Sequence, residues 1–190
     1  MSDSRLIIVT GLPGTGKSTL ARTLARHFHL PLLAKDSIKE PLMQALAAHV
    51  VPSRQLSDAA FAVVFSCLRE VLTGGRGALL EGNFRSGEHE SAIQAALPEP
   101  SMAIAQVLCR VPESQRQSRL TLRHSDASRH SGHRHADEAE RPPVCDSFLN
   151  LPGKRLVLDT GAAVESVEHV LLTELNPWMN PDTQRRAAHA

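Results

Sequence analysis

A glycine-rich segment near the start of the chain has the residue types and the spacing needed to hold a polyphosphate. Residues 11–19 read GLPGTGKST, which fits the pattern G-x-x-x-x-G-K-[ST]. The glycines let backbone N–H groups point inward around phosphate oxygens, Lys17 would reach the β and γ oxygens, and the hydroxyl of Ser18 would ligate Mg²⁺. The residues predicted to bind the nucleotide are Gly11, Pro13, Gly14, Thr15, Gly16, Lys17, Ser18 and Thr19.

The elements that must position this segment alternate between strands and helices. Apolar residues at 5–10 predict a buried strand before the loop, and Leu20, Leu24 and Phe28 recur on one face of a helix beginning at Gly16. Further strands are predicted at 30–34, 77–83, 102–109 and 155–158, and further helices at 38–48, 56–71, 87–97, 112–124 and 164–175. This order predicts an α/β fold with a mostly parallel sheet, whose ligand binds beyond the carboxyl ends of the strands.

The composition argues against several classes of protein. The 190 residues include 17 Arg and 4 Lys against 20 acidic residues, the formal net charge is +1, and only 3% are aromatic. A long nucleic acid partner would need more basic charge and more stacking side chains. The longest apolar run, residues 59–65, is too short to span a membrane, and no secretory signal is visible. Three cysteines at no metal-like spacing favour a reducing compartment, so we expect a cytoplasmic protein.

Acidic residues follow three of the predicted strands. Asp36 would accept a proton from a substrate hydroxyl as a general base, or its side chain would cap the N-terminus of the next helix. Glu81 and Asp159 compete for the role of supporting the metal ion. Lys39 lies one turn after Asp36 on the same helical face, where it would contact the acceptor or be solvated.

A basic region follows the fourth predicted strand. Seven of the 17 arginines and none of the lysines lie within residues 110–141, and Arg116, Arg119 and Arg123 share one helical face. They would fold onto the phosphates as a lid, because a guanidinium fork matches phosphate oxygens, or they would form a solvated face. The histidines at 124, 130, 133 and 135 complete no recognised zinc spacing, and we expect no metal there.

The layout of the chain resembles that of the small P-loop kinases. A guanine-binding Asn-Lys-x-Asp motif is absent, as are the signature segments of large ATPases. The segment KDSIK at 35–39 is similar to one in polynucleotide 5′-kinases, chloramphenicol phosphotransferases and zeta-toxin-like kinases. RHSGH at 129–133 and LDT at 158–160 resemble segments of the AAA-type predicted kinases of bacteria. The resemblance covers residues 5 to about 175.

The resemblance implies both a fold and a set of roles. It implies a three-layer fold with a five-stranded parallel sheet in the order 2-3-1-4-5. The kinase domain would span residues 1–176, with a lid over approximately 112–143 and a tail over 177–190. Asp36 would be the general base, and Glu81 would act on Mg²⁺ through water. Arg119 and Arg123 would be catalytic residues together with Lys17 and Asp36, and Arg129 would bind ATP. Lys39, Asn83 and Arg85 would bind the acceptor.

The sequence thus predicts a phosphotransferase that moves the γ-phosphoryl group of ATP, with Mg²⁺, to an alcohol group. The acceptor would be a small molecule or a nucleotide, since residues 41–51 offer apolar, small and Met side chains. Two alternatives are an ATP-binding switch without a small-molecule acceptor and a zeta-toxin-like sugar-nucleotide kinase with a partner antitoxin. The chemical identity of the acceptor is not specified by these residues.

Overall fold

A computed structural model describes residues 4–46, 51–125, 146–162 and 164–180 of the chain. The elements are β1 (Arg5–Thr10), α1 (Lys17–His27), β2 (Leu32–Ala34), α2 (Lys35–Ala45), α3 (Ser53–Thr73), β3 (Ala78–Glu81), α4 (Glu90–Ala96), β4 (Ala103–Arg110), α5 (Glu113–Ser125), β5 (Lys154–Asp159) and α6 (Val164–Met179). The five strands form one sheet in the order β2-β3-β1-β4-β5, and every neighbouring pair is parallel. The predicted fold class and strand order are confirmed.

The central strand β1 explains why the fold has three layers. Successive side chains of a strand point to opposite faces of the sheet. Ile7 and Val9 pack with the apolar residues of α1 and α6, whereas Leu6 and Ile8 pack with those of α3 and α4. All four side chains are fully buried, and each contributes about 1.5–3 kcal/mol of transfer free energy. The continuous apolar run in the sequence is therefore the mark of a strand covered on both faces.

Several helices differ from the predicted ranges, and two of the differences bear on the site and on the proposed tail boundary. The helix predicted at 38–48 begins at Lys35, because the chain turns directly out of β2 with Ala34 as its extended N-cap residue. The last helix runs past the predicted Leu175 to Met179, and thus across the proposed tail boundary. Its end packs on the core, and the guanidinium of Arg5 lies 5.1 Å from the ring centroid of Trp178. In the part of the chain that the structure describes, no helix is long and apolar enough to cross a membrane.

Two buried polar side chains fix the segment at 146–153, Gln106 to strand β4 and Glu90 to helix α4. The amide of Gln106, fully buried on β4, donates to the carbonyls of Leu149 and Leu151 and accepts the N–H of Leu149 at 2.9 Å. The carboxylate of Glu90 accepts the N–H groups of Asn150 at 2.9 Å and Gly87 at 2.8 Å. Burial raises the pKa of Glu90, but the hydrogen bonds outweigh burial and lower it to about 2.

We predict that Glu90→Gln destabilises the fold in a pH-dependent way. The folded pKa of Glu90 lies below the unfolded value of about 4.3, so its contribution is fully present above that value. It is lost as the pH falls towards 2. At pH 7 the free energy of unfolding should drop by about 1–3 kcal/mol, as measured by urea denaturation. The difference between the two proteins should shrink below about pH 4.

Glu99→Gln is the matched control, because Glu99 is an exposed residue of the same acidic type. Its unfolding free energy should stay within about 0.5 kcal/mol of the wild type. Equal stabilities of Glu90→Gln and the wild type at pH 7 would contradict the structural role of Glu90.

Candidate active site

The backbone of the loop between β1 and α1 passes very close to β4 and α5. Gly11 has φ +139°, and a Cβ there would collide with the carbonyl oxygen of Cys109 on β4. Gly14 has φ +89°, and a Cβ there would meet Arg116 Cγ at 3.1 Å and the Arg116 carbonyl oxygen at 3.2 Å. The ammonium of Lys17 donates to the carbonyl of Leu12 at 2.9 Å. The two glycines thus let the loop pack between β4 and α5 while it curves towards the start of α1.

The start of α1 can attract an anion. Among the described residues, no side chain caps this helix, and its first turn contains no acidic residue. The N–H groups and the positive end of the helix dipole favour negative charge at this place. The loop and helix therefore have the geometry that the motif predicts for a phosphate-binding site.

Glu81 lies beside the hydroxyl of Ser18 at the carboxyl edge of the sheet. Its strand β3 pairs with β1, Val9 lies opposite Glu81, and Ser18 Oγ donates to Glu81 Oε1 at 3.4 Å. Burial raises the pKa of Glu81, and the charge of Asp36 raises it further, whereas Lys17 and the Ser18 hydroxyl lower it. A hydroxyl and a buried carboxylate are oxygen donors of the kind that Mg²⁺ prefers, so these residues fit that ion. Asp159, the other acid considered, lies on the edge strand β5 and accepts the N–H of Gly161 at 2.8 Å.

Asp36 lies in the first turn of α2, the helix that follows β2, and β2 is the strand that pairs with the strand of Glu81. Ala34 of β2 is opposite Glu81 in the sheet, and Asp36 follows two residues later. Its carboxylate is about half-exposed, and Oδ1 is 3.1 Å from the ammonium of Lys35. The helix-capping alternative is wrong, because Ala34 occupies the N-cap position and no side chain caps the helix among the described residues. The Asp36 carboxylate thus sits at the sheet edge on the side away from α5.

The residues assigned to the acceptor surround the same edge. Lys39 is only 4% exposed, and its ammonium donates to Ser53 Oγ at 3.0 Å, so the solvated alternative is wrong. Asn83 and Arg85 lie in the loop after β3, both half-buried. The guanidinium of Arg85 donates to Glu88 Oε2 at 2.8 Å. The structure brings Lys39 and Asp36 together on α2 and places the loop of Asn83 after Glu81.

Helix α5 lies against the phosphate-binding loop. Arg116 Nη1 donates to the carbonyl of Pro13 at 3.3 Å, and Arg119 Nη1 donates to the carbonyl of Gly14 at 3.5 Å. The side chains of Arg116 and Arg119 are half-buried, so at these two positions α5 does not present a solvated face. The side chain of Arg123, the whole of Arg129 and the histidines at 130, 133 and 135 lie outside the described residues. Within the described ranges, no cluster of three His, Cys, Asp or Glu side chains forms.

Thr160 joins three parts of the site, although the sequence assigns it no role. Its hydroxyl lies 2.6 Å from the carbonyl of Thr15 and 2.8 Å from that of Arg110. Its own carbonyl accepts Arg119 Nη2 at 2.9 Å. The sequence signals for this role are its place after the last strand, at the carboxyl edge of the sheet, and the resemblance of LDT at 158–160 to a segment of related kinases.

An aromatic cluster lies on the acceptor side. Phe61 and Phe65 of α3 pack against Phe84 and His89, with the rings of Phe61 and His89 4.3 Å apart. Burial lowers the pKa of His89, so its ring is neutral at neutral pH. Aromatic residues are scarce in the chain, yet three of its five phenylalanines pack together at this place. The overall composition does not reveal this clustering.

The fold and the loop together define a P-loop nucleotide-binding protein of the small-kinase type. The model of the AAA domain family matches residues 6–141, and the chain belongs to that family. This membership confirms the predicted P-loop kinase group. None of the curated proteins compared with the chain matches it significantly.

Solved structures share this fold over nearly the whole chain. A candidate kinase from Chloroflexus aurantiacus has a TM-score of 0.76 and 27% identity, and the match covers 90% of this chain and 98% of that one. A gluconokinase from Sinorhizobium meliloti has a TM-score of 0.59 and 14% identity, with 97% and 99% covered. The APS kinase of Mycobacterium tuberculosis, in complex with AMPPNP and APS, has a TM-score of 0.58 and 16% identity, with 91% and 98% covered. These similarities, with the family membership, support ATP-dependent phosphotransfer in general terms.

We predict that Gly14→Ala weakens ATP binding more than its backbone strain explains. The added methyl would press against Arg116 and Leu120 of α5. The Kd for ATP with Mg²⁺, measured by isothermal titration calorimetry, should rise about tenfold or more, equivalent to about 1.4 kcal/mol.

The control is Gly75→Ala, at φ +75° with nothing within 4 Å of the added Cβ. Both variants carry the strain of a left-handed alanine, about 1–2 kcal/mol of folding free energy. Only Gly14→Ala should alter nucleotide affinity, and equal ATP affinities in the two variants would rule out the contact with α5 as the cause.

Proposed function

We propose that the protein is a kinase that transfers the γ-phosphoryl group of ATP to a hydroxyl group, with Asp36 as general base. The observation that carries the proposal is the placement of two carboxylates, Asp36 and Glu81, at neighbouring strand ends beside the phosphate-binding loop. Glu81 faces Ser18, which suits the metal side of the reaction. Asp36 is half-exposed, which suits contact with a second substrate.

The reaction that this arrangement supports is an in-line displacement. The loop N–H groups and Lys17 hold the β and γ phosphates, and Ser18 and Glu81 would hold Mg²⁺, which offsets charge on the phosphate oxygens when bound. Asp36 takes the proton from the acceptor hydroxyl as its oxygen forms a bond to the γ-phosphorus. The bond from that phosphorus to the bridging oxygen breaks, and ADP leaves with the electron pair. Positioning of the two substrates supplies most of the rate enhancement.

The acceptor is a small molecule or a nucleotide with a free hydroxyl. Lys39 and Arg85 would place positive charge beside it, and Asn83 would add an amide that donates and accepts hydrogen bonds. Such a set favours an acceptor that bears an anionic group, such as a phosphate or carboxylate, as well as its hydroxyl. The gluconokinase and the APS kinase complex with APS make sugar acids and nucleotides sensible first compounds in a screen.

We predict that Asp36→Asn abolishes phosphoryl transfer and leaves ATP binding intact. The amide keeps the shape of the carboxylate but cannot accept the proton, so the acceptor-dependent rate should fall by about 10²–10⁴-fold. The measurement is ADP release in a screen of hydroxyl-bearing sugar acids, nucleosides and nucleotides, with Lys17→Ala as the blank.

The same screen separates the kinase from the two alternatives. If no compound raises ADP release above the blank and slow hydrolysis persists in Asp36→Asn, the protein is a switch rather than a kinase. Stimulation by sugar nucleotides together with growth arrest on expression would instead identify a zeta-toxin-like enzyme.

The two arginines of α5 that touch the loop are not equivalent. Arg116 forms a two-pronged ion pair with Glu113, with both distances 2.7 Å. Hydrogen bonds from Arg116 and Gln117 lower the pKa of Glu113 to about 2, so the pair is charged at neutral pH. Within the described part of the chain, Arg119 instead donates to the neutral carbonyls of Gly14 and Thr160. We infer that Arg119 supplies positive charge to the phosphates and that Arg116 mainly positions the loop.

We predict that Arg119→Lys lowers kcat more than Arg116→Lys does. Lysine keeps the charge but loses the planar fork that matches phosphate oxygens. The expected loss for Arg119→Lys is about tenfold or more in kcat, and that for Arg116→Lys is smaller. Steady-state kinetics at saturating ATP measure both, and a larger loss in Arg116→Lys would reverse the assignment.

A further inference from the structure

Lys35 is nearly buried beside the proposed general base. It is the first residue of α2, and its side chain is only 11% exposed. Its ammonium lies 3.1 Å from Oδ1 of Asp36 and 5.8 Å from the ring centroid of Phe61. Asp36 is thus half-exposed at the sheet edge, whereas Lys35 is more deeply buried and lies against Phe61 of α3.

The stability of α2 does not explain a lysine at this position. An ammonium at the start of a helix meets the positive end of the helix dipole, and its burial removes hydration. The carboxylate of Asp36 and the ring face of Phe61 offset these costs. Phe61 is itself held by Phe84, 5.7 Å away between ring centroids, and by the neutral ring of His89. The ammonium of Lys35 therefore lies between the aromatic ring of Phe61 and the carboxylate of Asp36.

We propose that Lys35 is a positioning residue: its ammonium holds the carboxylate of Asp36 in place at the sheet edge. The inference rests on the proposed function, because it gives Lys35 a role only through the proposed base. Lys35 touches neither ATP nor the acceptor in this assignment. It acts on the reaction by fixing the orientation and the charge of the group that receives the proton.

The geometry at the sheet edge supports this role. The ammonium of Lys35 lies 3.1 Å from Oδ1 of Asp36, and Ala34, two residues before Asp36, lies opposite Glu81 in the sheet. An opposite charge in contact with a carboxylate favours its ionised form. The ionised form is the one that can accept a proton from an acceptor hydroxyl.

The charged groups around Asp36 define what an experiment must separate. Lys35 faces it from α2, and Glu81 faces it from β3, where Lys17 and Arg22 also act on Glu81. From α3 the uncharged Phe61 lies beside the ammonium of Lys35, and the ring of His89 packs against Phe61. A test in the wild-type background and again in Glu81→Gln distinguishes titration of Asp36 from titration of Glu81.

The first experiment follows the carboxyl carbon of Asp36 by NMR as a function of pH, assigned by its loss in Asp36→Asn. Lys35→Met keeps an unbranched apolar side chain beside Phe61 but removes the charge. The titration midpoint of Asp36 should rise by roughly half a pH unit or more in this variant, in both Glu81 backgrounds. Lys35→Arg should keep the midpoint near the wild-type value. An unchanged midpoint in Lys35→Met would overturn the proposal.

The second experiment measures ADP release from ATP and Mg²⁺ with water as the acceptor, so that it needs no identified substrate. Lys35→Met should slow the rate by about tenfold or more, and Lys35→Arg should restore most of it. In the Asp36→Asn background the same change should have no further effect, since Lys35 acts through Asp36. The control Lys154→Met removes another ion-paired lysine, on the far edge strand β5, and should leave the rate unchanged.

The two experiments keep the two claims apart. If Asp36→Asn leaves ADP release at the wild-type rate, the assignment of Asp36 as base fails, while the NMR titration still decides whether Lys35 controls that carboxylate. If Lys35→Met slows the residual rate of the Asp36→Asn protein by the same factor as it slows the wild type, the positioning role is wrong. A loss of rate in Lys35→Met with restoration by Lys35→Arg supports it.

Discussion

The pairing of β1 with β3 on one side and β4 on the other is the constraint on which the site depends. Val9 lies opposite Glu81 on β3 and opposite Val107 on β4, so the loop that leaves β1 must pass between the ends of both neighbours. Parallel strands bring all their carboxyl ends to one edge. Glu81 therefore reaches Ser18, and Gly11 passes so close to Cys109 that a side chain at that glycine would not fit. A slip of one residue in the pairing of β1 with β3 would turn Glu81 to the other face of the sheet.

The parts of the structure that local patterns encode could be predicted from the sequence. The phosphate-binding loop is contiguous, and the apolar strands and amphipathic helices have short periods, so a single segment carries each signal. The strand order was implied by the resemblance and is confirmed. Asp36 could be singled out because it follows a strand. The end of α6 could not, because packing of Trp178 against Arg5 and the core, far along the chain, extends that helix.

The contacts that the sequence does not reveal are those between distant segments. Lysine is usually a surface residue, yet Lys39 is buried, and its ammonium donates a hydrogen bond to Ser53 at the start of α3. Thr160 contacts Thr15 across a separation of 145 residues. The aromatic cluster joins α3 to the loop after β3, and the pattern of apolar residues within either segment does not predict that the two meet. Each case depends on which helix face meets which loop, and a periodic pattern does not contain that information.

The hydrogen bonds around the loop indicate which arginine of α5 can turn to phosphate more readily. Among the described residues, Arg119 donates to the neutral carbonyl oxygens of Gly14 and Thr160. A charge-assisted bond to a phosphate oxygen is roughly twice as strong as a neutral one, so this side chain gains when it exchanges a carbonyl for phosphate. Arg116 would have to give up the charged carboxylate of Glu113, which removes most of that gain. Arg119 therefore rests on contacts weaker than those that a triphosphate would offer.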